Sequence, residues 1–199
     1  MWQKYFGPKA KIYGIDIDPR CKQFEKENIE ILIGSQSDVN FLNEVKQKIP
    51  KVDILIDDGG HTMEQMRVSF DNLIDHIKPD GVYICEDLHC CYWLSYGGGY
   101  KRKNSFIEYS KNFIDYINAW NSKQYIFKPN NFTKTIQSIH YYDGVIVMEK
   151  RIMEQPKNLM TGIASFDYTV ETKQTLIRNT KYVFNKIMQT LRLPWHLYY

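Results

Sequence analysis

Three short apolar runs in this sequence each stop at acidic residues, and that repetition limits what the chain folds into. Residues 52–56 (VDILI) end at Asp57-Asp58-Gly59-Gly60, and residues 82–85 (VYIC) end at Glu86-Asp87. Residues 11–17 (KIYGIDI) contain Asp16 and run into Asp18. Near-continuous apolar runs of this length are expected of strands covered on both faces, the usual state of parallel strands. Helical stretches are predicted between them, at 19–28, 39–49 and 62–77. The last carries Met63, Met66, Phe70, Leu73, Ile74 and Ile77 on one stripe and closes at Lys78-Pro79-Asp80-Gly81. With residues 30–33 (EILI) as a further strand ending at Gly34, the alternation predicts an α/β fold: a Rossmann-like, mostly parallel sheet with helices on both faces.

The sheet is predicted to finish antiparallel, because residues 138–142 and 145–149 flank Asp143-Gly144, a strong hairpin signal. Residues 92–104 (YWLSYGGGYKRKN) read as a lid, since a loop of this length in a compact domain is usually functional or mobile. Helical spacing resumes at 106–121. A catalytic domain at 1–150 is expected, followed by a helical extension at 151–199. Residues 170–193 there suit packing on the domain or on a second subunit in a homo-oligomer. Contact with a membrane surface through Pro194-Trp195 is the alternative.

At 199 residues a single domain buries enough surface to fold without disulfides. Hydrophobic residues at 43% exclude a disordered chain, and a net charge of +3 gives a nucleic-acid partner little support. Cys21, Cys85, Cys90 and Cys91 follow neither a disulfide nor a zinc-finger spacing, and no apolar run is long enough to span a membrane. A reducing cytoplasm is expected.

Ligands of open parallel sheets bind beyond the carboxyl ends of the strands, where this chain places its acids. Asp58, Glu86 and Asp87 in one crevice would repel each other, and a divalent cation is the economical remedy; hard oxygen ligands suit Mg2+ or Mn2+. His61 is placed to act as a base on a hydroxyl polarised by such an ion. The alternative is that Asp57 or Asp58 caps the following helix and His61 merely begins it. Asp16 at an early strand end suits a ribose hydroxyl, and Gly34-Ser35-Gln36-Ser37 either lines an adenine or forms a solvent-facing turn.

These blocks resemble the class I S-adenosylmethionine-dependent methyltransferases, specifically the metal-dependent sugar O-methyltransferases of the mycinamicin and macrocin type and the related cephalosporin hydroxylase-like group. The resemblance covers residues 2 to about 150. It is carried by Tyr13-Gly14-Ile15-Asp16-Ile17-Asp18-Pro19, Gly34-Ser35-Gln36-Ser37-Asp38, Ile56-Asp57-Asp58-Gly59-Gly60-His61, Glu86-Asp87-Leu88-His89 with Tyr92-Trp93, and Ile139-His140-Tyr141-Tyr142-Asp143. It implies cofactor contacts from Asp16, Asp18, Gly34, Ser35, Gln36 and Asp57, magnesium held by Asp58, Glu86 and Asp87, and His61 as general base. It further implies methylation of a sugar hydroxyl. In such a family a first strand and Gly-rich loop would precede Met1, so weak binding of S-adenosylmethionine is expected. The alternatives are an inactive methyltransferase-like module or a hydroxylase-like enzyme.

Overall fold

Two parallel strand pairs, each emptying its carboxyl ends into polar turns, organise the molecule. The computed structural model describes residues 2–163, 165, 176–194 and 197. A short helix α1 (Trp2–Phe6) leads into β1 (Ile12–Asp16), which pairs in parallel with β2 (Ile29–Ile33) from Ile12↔Ile29 to Asp16↔Ile33. The amide of Gly34 donates to the Asp16 carbonyl at 2.9 Å, so both strands end level. The helix expected at 19–28 is a 3-10 turn over Pro19–Phe24. Glu25 explains the shortening. Its carboxylate accepts from Ile31 N at 2.9 Å and from Lys22 Nζ at 2.8 Å, which draws the chain into extended structure along β2.

Helix α2 (Val39–Lys48) is capped by Asp38, whose carboxylate accepts from Asn40 N and Phe41 N. Such a cap contributes about 1 kcal/mol. Val45 and Ile49 bury against Leu32, with Tyr13, Phe41 and Val52 packed around them. Gly34 is glycine for a packing reason, because a Cβ there would meet the Phe41 ring.

Next come β3 (Val52–Asp57), α3 (Met63–Leu73) and β4 (Ile77–Cys85), followed by α4 (Phe106–Ser110), α5 (Asn112–Ile117) and α6 (Asn131–Thr135). The terminal hairpin is β5 (Ile136–Tyr142) and β6 (Val145–Lys150). β3 pairs with β4 in parallel, β4 with β6 and β6 with β5 antiparallel, in the order β3-β4-β6-β5. The fold is thus mixed α/β, as expected, but the described strands form two sheets rather than one, with β1 and β2 separate.

Two local expectations are corrected. Lys78-Pro79-Asp80-Gly81, read as a turn, lies inside β4, because a register irregularity sets Val52↔Ile77 and Ile54↔Val82 within one pairing. Lys78 Nζ bonds Asp53 Oδ1 at 2.8 Å, and Gly81 packs on the Asp53 carbonyl where a Cβ would not fit. The helix expected at 106–121 breaks into α4, α5 and a 3-10 turn at Ala119–Asn121. There Ser110 Oγ donates to Ile107 O and Asn112 Nδ2 to Tyr109 O, side-chain bonds that compete with the helical ladder.

The main core joins α3, β4, α4, α5 and the hairpin. Tyr83, Phe106, Ile146 and Met148 are fully buried, and Phe70 stacks on Phe113 at 4.8 Å while meeting Tyr83 edge-on at 5.1 Å. Each such side chain contributes roughly 1.5–3 kcal/mol by leaving water.

The chain divides into a unit of residues 1–123 and 128–155 and a second of 124–127 and 156–199. In the second, α7 (Leu176–Thr190) carries Leu176, Ile177, Val183 and Ile187 exposed, and Asn185 exchanges two 2.8 Å hydrogen bonds with the Leu197 backbone. The predicted helix at 170–193 extends into residues 170–175, which lie outside the described residues, as does Trp195. No helix among the described residues is long and apolar enough to cross a membrane.

Candidate metal and cofactor site

The site forms where β3 and β4 end side by side. The amide of Glu86 donates to the Asp57 carbonyl at 3.0 Å, which carries the parallel pairing one residue past β4. Beyond Asp57 the chain runs through Asp58, Gly59 and Gly60 to His61, whose φ of 55° is unusual for a residue with a side chain. Asp87 has the same left-handed turn, with φ 56°. Conformations of this kind cost of order 1 kcal/mol or more and gather where a site demands them.

The two turns aim their side chains at each other. His61 Nε2 lies 3.7 Å from Asp58 Oδ1 and 3.5 Å from Asp87 Oδ2, and His89 Nδ1 lies 3.8 Å from Asp87 Oδ1. Asp58, His61 and Asp87 each offer one ligand atom within 4.8 Å of the others, and among the described residues they are the one such group. His61 is 16% exposed as a side chain, whereas the two carboxylates face solvent at 59% and 46%. The two carboxylates are hard oxygen donors that suit Mg2+ or Mn2+, and the His61 imidazole stands beside them as a softer donor with its Nε2 toward both.

The helix-capping alternative for the acids does not hold. Thr62 caps α3 in a capping box with Gln65, so neither Asp57 nor Asp58 performs that task. Asp58 is therefore left for the crevice.

The expected trio Asp58, Glu86 and Asp87 is only partly assembled. Glu86, the residue after β4, falls outside the group, while the left-handed turn at Asp87 redirects the next carboxylate toward His61. Successive side chains on an extended backbone point to opposite sides, and the turn decides which one enters the crevice.

Asp57 turns inward. It is 6% exposed and accepts from Gln36 Nε2 at 3.0 Å and from Tyr83 OH at 3.2 Å. Burial pushes its carboxyl above the usual range, against the lowering effect of hydrogen bonds from Ser69, Tyr83 and Gln36. Gln36 also accepts from Gly60 N at 2.7 Å, so both ends of its carboxamide bond the β3 exit. Asp18 is paired with Arg20, which holds its carboxyl low, and it caps the turn that follows. Asp16 remains exposed at the end of β1, accepting from Asp18 N at 2.8 Å. Ser35 and Ser37 face each other at 2.9 Å beside Gly34.

Backbone hydrogen bonds tie residues 88–99, which include most of the stretch read as a lid, to neighbouring segments. Leu88 N bonds Gly144 O at 2.9 Å, Gly98 N bonds Trp93 O at 2.9 Å and Gly99 N bonds Cys91 O at 2.8 Å. Cys90 and Cys91 are buried beneath, as apolar anchors rather than metal ligands. Sequence reasoning missed Tyr83 as a partner of Asp57; its place two residues before Cys85 on a buried strand was the available signal. It also left unresolved the aromatic cluster in which His89 meets Trp93 edge-on at 4.8 Å and Trp93 meets Tyr96 at a tilt at 5.6 Å.

No protein-family profile matches the chain. It is similar to the mycinamicin VI 2''-O-methyltransferase of Micromonospora griseorubida, 31% identical over 157 residues, covering 75% of this chain and 38% of that protein. To the demethylmacrocin O-methyltransferase of Streptomyces fradiae it is 40% identical over 98 residues, covering 49% of this chain and 24% of that protein. Among solved structures it resembles the methyltransferase MycE of the mycinamycin pathway in complex with Mg and SAH. The TM-score is 0.71 at 30% identity, covering 76% of this chain and 40% of that one. The chain thus spans about two fifths or less of the length of these relatives.

Proposed function

We propose, from the likeness to sugar O-methyltransferases, that the chain forms the metal and acceptor side of a methyl-transfer site acting on a sugar hydroxyl of a glycosylated metabolite. The observation that carries this reading is the convergence of Asp58, His61 and Asp87 from two strand exits, with ligand atoms within 4.8 Å.

Asp58 and Asp87 would hold Mg2+ or Mn2+, with Glu86 one residue from the group. A cation there would lower the pKa of an acceptor hydroxyl. His61 Nε2, which faces both carboxylates, is the atom placed to take the hydroxyl proton. The imidazolium so formed would lie between two negative charges. S-Adenosylmethionine would supply a methyl group on a sulfonium; the acceptor oxygen forms the new C–O bond as the C–S bond breaks, leaving S-adenosylhomocysteine. Asp16, exposed at the end of β1, would accept hydrogen bonds from the cofactor ribose, with Gly34 and Ser35 lining the same rim.

The test is binding of Mn2+, followed by electron paramagnetic resonance, together with transfer of labelled methyl from S-adenosylmethionine to methyl α-L-rhamnopyranoside with and without a chelator. Saturable Mn2+ binding that Asp87→Asn weakens at least about tenfold, and transfer abolished by chelator, are the expected results. Undiminished Mn2+ binding by Asp58→Asn and Asp87→Asn would overturn the assignment.

A further inference from the structure

The acid cluster is continuous with an exposed aromatic surface. From Asp87 the contacts run to His89 at 3.8 Å, from the His89 ring to the Trp93 ring at 4.8 Å, and from Trp93 to Tyr96 at 5.6 Å. Trp93 is nevertheless 47% exposed, so part of its indole stays in water although its neighbours are aromatic. Large exposed aromatic groups beside a polar crevice mark binding surfaces.

The support beneath Trp93 is bonded to the core. Its amide bonds Cys90 O at 3.0 Å, its carbonyl accepts from Gly98 N, and Cys90 and Cys91 fix the turn in the core. Gly98 lies so close to the carbonyls of Cys90 and Cys91 that a Cβ would collide with backbone. Leu88 N also bonds Gly144 O of the β5–β6 turn at 2.9 Å, so the segment carrying His89 is tied to the hairpin. A preorganised ring of this kind binds without the entropic cost of ordering a loop.

We propose that the exposed indole face of Trp93, steadied by His89 and Tyr96, is the stacking surface for the sugar ring of the acceptor. The inference rests on the methyl-transfer reading above. The C–H face of a pyranose carries partial positive charge and matches the negative face of an aromatic ring, while its hydroxyls project from the rim. Trp93 is joined to Asp87 through His89, so a ring held on the exposed part of the indole lies next to the acid cluster. Trp93 thus selects a flat, C–H-rich face and leaves hydroxyl chemistry to the acids.

Saturation-transfer NMR with methyl α-L-rhamnopyranoside on the whole chain tests this, with Mn2+ binding measured in parallel on every variant. The ring C–H protons of the probe are expected to show the strongest transfer. Trp93→Ala is expected to weaken binding about tenfold, as loss of an aromatic stacking face does elsewhere. Trp93→Phe should stay within about threefold, because it retains an aromatic face. Mn2+ affinity should be unchanged in both, which also reports that the variants fold. Equal probe binding by wild type and Trp93→Ala, or no probe binding by a wild type that binds Mn2+, would overturn the stacking surface while leaving the metal site in place. Probe binding that depends on Trp93 in a chain that fails to bind Mn2+ would instead overturn the methyl-transfer reading and support the surface.

Discussion

Gln36 joins the exit of β2 to the exit of β3 by donating its side-chain nitrogen to Asp57 Oδ1 at 3.0 Å, while its side-chain oxygen accepts from Gly60 N at 2.7 Å. Gly59 lies so close to that carboxamide that a Cβ would collide with it. The strands involved belong to different sheets, so this side chain couples the β2 exit to the acid turn. Replacing it with an apolar isostere leaves a buried carboxylate short of a donor and a backbone N–H short of an acceptor. Gln36→Leu is expected to lower stability by about 1–3 kcal/mol in urea titrations. It should also weaken Mn2+ binding, since Gly60 directly precedes His61. A variant with wild-type stability and metal affinity would dismiss the tie.

The same pair sets a pH dependence. Burial raises the Asp57 carboxyl above its ordinary 3.8 in the folded protein, so between 3.8 and the raised folded value the native state holds a proton that the unfolded chain has released. Stability from this group is fully present below 3.8 and falls as pH rises through the folded value. Asp57→Asn lacks that titration. Thermal melts of the two proteins across pH 3.5 to 7 should therefore show the wild type losing stability relative to Asp57→Asn as pH increases. Parallel curves would show that the carboxylate is compensated in full by Tyr83, Ser69 and Gln36.

Asp87 is a site where function and stability oppose each other. Its φ of 56° strains a residue with a side chain, and its carboxylate shares one group with that of Asp58. Asn tolerates the left-handed region and carries no charge. Asp87→Asn should raise the melting temperature by about 2–4 °C, the shift that about 1 kcal/mol gives at this size. It should lose Mn2+ binding at the same time. A fall in melting temperature in metal-free buffer would sink the prediction.

Fixing of the segment after β4 is tested at Gly98. Gly98→Ala puts a methyl against the carbonyls of Cys90 and Cys91, backbone atoms that have no free direction in which to move. Overpacking of this kind costs roughly 1–3 kcal/mol, so the melting temperature should drop by several degrees. A hinged lid would absorb the methyl with no measurable change.

Much of this site was legible because strand periodicity and turn chemistry are local. The apolar run before Asp57 and the run before Glu86 marked two strand exits, and the structure brings Asp58, His61 and Asp87 together there. Asp143-Gly144 marked the hairpin, which closes with Tyr142↔Val145 as the last pair and Gly144 at φ 69°. The sequence alone thus determined the succession of strands along the chain, the ends at which charge collects and the chemistry of the donors.

Tertiary structure decided direction. Whether a carboxylate enters the crevice or the core depends on one backbone turn and on partners distant in sequence: left-handed φ sends Asp87 toward His61, and Tyr83 and Gln36 draw Asp57 inside. The three glycines and aromatics of residues 92–104 read as a lid because a sequence does not show that Gly98 and Gly99 bond back to Trp93 and Cys91 over a buried cysteine pair. Composition and spacing record what each residue offers locally, whereas the aim of a side chain is fixed by packing and hydrogen bonds that exist only once the chain has closed on itself.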